Sequence, residues 1–154
     1  MTLETGSSAP DFTLATDGAG SVTLSALRGK PVILYFYPKD DTSGCTKEAC
    51  GFRDALPDFG AVAATVIGIS KDSVASHDKF KAKYTLPFTL ASDADGAVCE
   101  SYGTWVEKSM YGRKYFGIDR ATFLIDGDGV IRQIWRKVKV TGHVEAVLKA
   151  LQAL

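Results

Sequence analysis

The chain has 154 residues, the length of one ordinary domain, with 45% hydrophobic and 23% charged residues, a balance that excludes the disordered and membrane-embedded classes. Its 18 Lys and Arg equal its 18 Asp and Glu, and no basic run exceeds a few residues, which argues against a nucleic-acid footprint or a membrane-surface patch. A small-molecule substrate or a transient protein partner is the expectation that remains.

Residues 1–6 lack the cationic start and apolar core of a signal peptide, and no apolar stretch reaches transmembrane length, so a cytoplasmic protein is expected. Phe12-Thr13-Leu14 and Val22-Thr23-Leu24 flank the turn-rich segment 16–20 and read as a hairpin. Residues 32–37 are β-branched and aromatic with little alternation, the pattern of a central strand buried on both faces. A helix over 44–56 follows and is expected to stop before Pro57. Residues 65–70 form another buried strand, and Ser73 caps a helix with Val74, His77, Phe80 and Tyr84 at helical spacing. A short helix over 97–102 precedes the strand 122–125, the turn Asp126-Gly127-Asp128-Gly129 and a returning strand over 130–138. The last helix, capped near Thr141, carries Val144, Val147, Leu148 and Leu151 on one face. The order predicts one α/β domain over 1–154: a thioredoxin-like mixed sheet flanked by helices, with an N-terminal β-hairpin.

In such sheets chemistry gathers beyond the carboxyl ends of the strands, and Cys45 lies just past the strand 32–37. A free thiol has a pKa of roughly 8.5, so its reactive thiolate is scarce at neutral pH. The start of a helix offers free N–H groups and a positive dipole end that favour the anion. Gly44 permits close approach of the backbone, and Pro38 stiffens the loop and ends the strand. Thr42 places a hydroxyl three residues before the sulfur, able to cap the helix or to hydrogen-bond a substrate. Thiolate attack on a peroxide expels hydroxide or alkoxide, and that developing charge calls for a fixed cation. Arg120, at the start of a strand adjacent to this edge, has the planar fork that suits the task.

Pro38-x-x-x-Thr42-x-x-Cys45 together with Arg120 resembles the active-site signature of the peroxiredoxins. The flanks 35–39, 50–54 and 117–126 resemble the bacterial Q-type branch, also called bacterioferritin comigratory proteins, and the likeness runs from Ala9 to the last helix. The resemblance implies that Cys45 is the peroxidatic cysteine, that Thr42 and Arg120 bind and polarise the peroxide, and that Pro38 shields the sulfenic acid from water. It implies hydrogen peroxide and organic hydroperoxides as substrates, a thioredoxin- or glutaredoxin-type reductant, a monomer, and no cofactor or metal. One departure is Ser43, where the family usually has proline; serine lacks a fixed φ, which puts the rigidity of the loop in question.

A sulfenic acid must be resolved before it is overoxidised. Cys50 is the nearest candidate, and the helix 73–84, where some Q-type relatives carry the resolving cysteine, contains none. In an intact helix residues five apart have Cα atoms about 8.7 Å apart and point about 140° apart around the axis. A disulfide needs roughly 4.4–6.8 Å. A Cys45–Cys50 bond therefore requires the first turns to unwind.

Cys99 reads as a core thiol, and His77 as a half-buried packing residue. Glu48 reads as a helix-stabilising charge, with orientation of Arg120 as its other reading. Trp105, Tyr111 and Tyr115 read as ordinary packing or as an apolar rim of the site. The spacing of Cys45 and Cys50 fits neither a Cys-x-x-Cys oxidoreductase nor a zinc site.

Overall fold

In the computed structural model, which describes residues 3–154, a seven-stranded mixed sheet forms the centre of the molecule. Met1 and Thr2, the start of both the predicted leaderless segment and the predicted domain, lie outside the described residues. The expected hairpin is β1 (Thr13–Thr16) and β2 (Gly20–Thr23), with Thr13 opposite Thr23 and their hydroxyls 2.7 Å apart. Next come β3 (Val32–Phe36), α1 (Ser43–Ala61), β4 (Thr65–Ser70), α2 (Val74–Tyr84), β5 (Thr89–Ser92) and α3 (Ala97–Ser101). The rest of the chain forms β6 (Trp105–Met110), β7 (Arg113–Ile118), β8 (Ala121–Ile125), β9 (Ile131–Trp135) and α4 (His143–Gln152).

Strands lie in the order β2-β1-β5-β4-β3-β8-β9. β3, β4 and β5 are parallel, while β8 runs antiparallel to β3, and β9 to β8. This is the thioredoxin-like arrangement expected, with the N-terminal hairpin joined to the far side of the sheet through β1 and β5.

All five residues of β3 are buried because the sheet is covered on both faces. Val32, Leu34 and Phe36 pack into one core with Val98 and Cys99 of α3 and with Tyr102. Ile33, Tyr35 and Tyr37 point the other way, onto Phe52 and Phe59 of α1, Phe80 of α2 and Val147 and Leu151 of α4.

Three expectations need correction. α1 does not stop before Pro57 but runs through it to Ala61. Pro57 is exposed, and the extra turn buries Phe59 completely against Phe52. Burial of such a ring is worth about 1.5–3 kcal/mol, which offsets the ~3 kcal/mol cost of an interior proline. Thr141 does not cap α4: Gly142 holds the cap position with φ of 75° and no side-chain hydrogen bond. A left-handed residue there is inexpensive only for glycine. Third, β5 and the separate β6–β7 hairpin escaped the pattern reading. β5 is only four residues long. The β6–β7 hairpin is exposed over most of its length, so packing imposes no apolar alternation on it. Among the described residues, no helix is long and apolar enough to cross a membrane.

Candidate active site

β3 delivers the chain to Tyr37, which is fully buried, and Pro38 then turns it to the surface. Asp41 takes a left-handed conformation (φ 57°) and Thr42 an extended one (φ −96°, ψ 158°), after which α1 begins. Cys45 therefore lies in the first helical turn, where backbone N–H groups lack intrahelical partners. It is only 1% exposed.

Arg120, immediately before β8, reaches across to this turn because β8 pairs antiparallel with β3 and starts where β3 ends. Its Nη2 donates to Cys45 Sγ at 3.3 Å, and its Nη1 donates to Glu48 Oε1 at 2.7 Å. Gly44 makes room for this: a Cβ at that position would come within 3.1 Å of Arg120 Nη2. Burial works against the charge of Arg120, but the facing Glu48 and Cys45 outweigh it and hold its pKa above the usual value.

Glu48 is not a surface helix charge. It is completely buried, and burial pushes its carboxyl up to about 7 against the pull of Arg120. Among the described residues its second oxygen has no hydrogen-bond partner, and it lies 4.0 Å from His143 Nε2. His143 is pulled down to about 4 by burial and by Arg120, so at neutral pH it is uncharged and this contact is not an ion pair. The ring instead shares a 2.8 Å hydrogen bond with Thr122 of β8. One cation thus faces a thiol on one side and a buried acid on the other.

Thr42 occupies the N-cap position, but its side chain does not cap the helix. Its hydroxyl donates to the carbonyl of Lys39 at 2.8 Å, leaving the oxygen lone pairs for an approaching donor. Ser43 takes the first helical position, the one at which proline is best accommodated, so serine there keeps the helix start. Pro38 is exposed and lines a concavity of about 330 Å³ with Trp105, Tyr115, Phe116, Lys71 and Lys108. Trp105 and Tyr115 therefore belong to a rim beside Pro38. Tyr111 does not: it is 99% exposed and lies outside that concavity, beyond the end of β6.

Cys50 is half-buried on the same unbroken helix as Cys45, and all three cysteines are free thiols. Cys99 is fully buried beside Asp93 and Thr104, and burial pushes its thiol well above the ordinary range. His77 is not half-buried but completely enclosed, bonded to Asp40 and to the carbonyl of Ala91. Asp40, Thr122 and His143 carry no pattern along the chain that marks them for the site. The doubled acid Asp40-Asp41 in the loop before the helix was the one clue available, and only packing shows that the first of the two is buried.

Comparison with known proteins adds an independent line. Residues 5–134 match the model of the AhpC/TSA family. The chain is 47% identical over 152 residues to the Bacillus subtilis peroxiredoxin Bcp, covering 99% of this chain and 97% of that one. A solved Xylella fastidiosa PrxQ mutant superposes with a TM-score of 0.94 at 41% identity, covering 99% of this chain and 98% of that one. The Xanthomonas campestris bacterioferritin comigratory protein, solved to explain its alkyl peroxide reduction activity, gives 0.89 at 46% identity, covering 92% and 90%.

Proposed function

The chain belongs to the AhpC/TSA family and within it to the Bcp/Q-type peroxiredoxins, enzymes that reduce peroxides at the expense of a thiol reductant, and from that premise we propose that Cys45 is its peroxidatic cysteine. The observation that carries this assignment is the 3.3 Å contact of Arg120 Nη2 with Cys45 Sγ, with the other arm of the guanidinium tied to Glu48.

The Cys45 thiolate attacks the terminal oxygen of hydrogen peroxide or an organic hydroperoxide. The S–O bond forms, the O–O bond breaks, and hydroxide or alkoxide leaves and takes up a proton. Arg120 balances charge on sulfur before attack and on the leaving oxygen during it. Thr42, its proton committed to Lys39, accepts a hydrogen bond from the hydroperoxide and orients it. Glu48 fixes the plane of the guanidinium, and Pro38 limits access of water to the sulfenic acid. The aromatic side chains of Trp105, Tyr115 and Phe116 beside Pro38 and the alkyl peroxide activity of the Xanthomonas campestris relative support organic hydroperoxides as substrates.

Cys50 resolves the sulfenic acid: its thiol attacks Cys45 Sγ, a disulfide forms and water is released. Two thiols of a thioredoxin- or glutaredoxin-type partner then reduce the disulfide by exchange. The lone helix joining the two cysteines supports a cycle that unwinds its first turns. The protein acts as a single cytoplasmic domain and as a monomer.

One equivalent of hydrogen peroxide added to reduced wild type, Cys45→Ser, Cys50→Ser and Cys99→Ser, followed by mass spectrometry, tests the scheme. Cys45→Ser is expected to be inert, Cys50→Ser to stop at sulfenic acid or overoxidise, and Cys99→Ser to behave as wild type. A Cys45–Cys99 disulfide in wild type would overturn the choice of resolving residue.

A further inference from the structure

Behind the loop that carries Thr42 lies a buried polar cluster that the proposed chemistry does not use. The Asp40 carboxylate, 4% exposed, accepts from Tyr37 Oη at 2.5 Å, Ser76 Oγ at 2.9 Å and His77 Nδ1 at 2.7 Å. On the other side of the ring, His77 Nε2 lies 3.0 Å from the carbonyl oxygen of Ala91 in β5. The carbonyl can only accept, so Nε2 carries a proton, and with Asp40 ionised Nδ1 carries one as well, which makes His77 an imidazolium.

The remaining groups agree with that state. Asp72, ahead of α2, binds the backbone N–H of Asp40 at 2.7 Å and adds negative charge near the ring. Burial opposes the charge, but the Asp40 bond and charge and the Ala91 carbonyl outweigh it and raise the pKa of His77. Of the other charges on α2, Lys81 pairs with Asp17, Asp78 accepts from Gly18 N–H and Lys79 is exposed to solvent. The next loop residue, Asp41, is tied to the far end of α2 by Lys83 Nζ and Tyr84 Oη, each at 2.8 Å.

We propose that Asp40 and His77 are positioning residues for peroxide reduction, a buried carboxylate–imidazolium pair that straps the segment 38–42 to α2 and so holds Thr42 in place to orient peroxide before Cys45. The proposal rests on the assignment of Cys45 as peroxidatic. With Asp40 ionised, a neutral His77 has one N–H and would leave either that carboxylate or the Ala91 carbonyl without a donor from the ring. It also predicts that loss of the His77 proton at high pH loosens the loop while the sulfur stays where it is.

The test uses Asp40→Asn and His77→Gln in the full chain, with Asp40→Glu as the conservative variant. The protein has two histidines, so long-range proton–nitrogen spectra resolve both rings. At pH 7 wild type is expected to show one doubly protonated ring, His77, and one neutral ring, His143, and Asp40→Asn to show two neutral rings. Stopped-flow oxidation of the reduced protein by peroxide is expected to slow at least tenfold in Asp40→Asn and His77→Gln and to recover in part in Asp40→Glu. The alkaline fall in the wild-type rate should share its midpoint with the His77 titration and be missing in both neutral variants, while alkylation of Cys45 by iodoacetamide is not slowed. A neutral His77 in wild type at pH 7, a peroxide rate within twofold of wild type in Asp40→Asn, or peroxide and iodoacetamide rates that fall by the same factor would each overturn the proposal. Peroxide consumption surviving in Cys45→Ser would instead defeat the underlying assignment of Cys45.

Discussion

Glu48 and His143 stand 4.0 Å apart, and each is held in its neutral form across a pH range in which it would be charged in water. The acid keeps its proton up to about 7 instead of 4.5, so between those values the native state binds more protons than the unfolded chain, and stability falls as pH rises. The histidine is lowered from 6.5 to about 4, so its contribution has the opposite sign: stability rises with pH across that interval and is lost as pH falls. Replacing Glu48 by Gln keeps an oxygen for Arg120 and removes the first slope. Urea unfolding is expected to show the stability of Glu48→Gln gaining on wild type by on the order of 3 kcal/mol between pH 4.5 and pH 7; parallel curves would contradict a buried, proton-holding Glu48. Nothing in the spacing of Glu48 from Cys45 distinguishes this residue from a solvated helix charge. Its state follows from what α4 and β8 place over it.

α1 carries both Cys45 and Cys50 in one continuous stretch and continues past Pro57. If the proposed disulfide closes only after the first turns open, amide exchange over residues 43–50 should accelerate after one equivalent of peroxide, while α2, strapped to the loop by Asp40 and Asp41, stays protected. Unchanged exchange in oxidised α1 would sink the switch. At the other end of the helix, Pro57→Ala should restore an N–H and relieve the ring's clash, raising stability by about 1–3 kcal/mol in denaturant unfolding. Sequence pattern located α1, β3, β4, α2 and β8 because each has a long apolar face or a clear cap, as with Ser73, whose hydroxyl accepts from Ser76 N–H. It missed β5 because four residues with no hairpin turn beside them carry too little pattern to read, and the β6–β7 hairpin because an exposed ladder carries none.

For the whole molecule, the disulfide proposed here needs no second chain. Sedimentation of reduced and peroxide-treated protein is expected to give the mass of one chain in both states, and a covalent dimer in the oxidised sample would refute the intramolecular cycle. The two cores on either side of the sheet serve different ends. The face with Tyr35, Phe52 and Val147 seats the helix that bears the thiol. The face with Leu34, Phe123 and Cys99 keeps the third cysteine enclosed, its thiol proton retained by burial.

The residues by themselves determined the order of the main elements and the family, because burial on both faces of β3, the proline after it and the Cys45 turn are local patterns. They also singled out Arg120, 75 positions from the thiol, through its place in a known motif. Only the tertiary structure decided which charges live in low dielectric. Glu48, Asp40, His77 and His143 all look like ordinary polar residues along the chain, and each is buried among neighbours that folding brings in from distant elements.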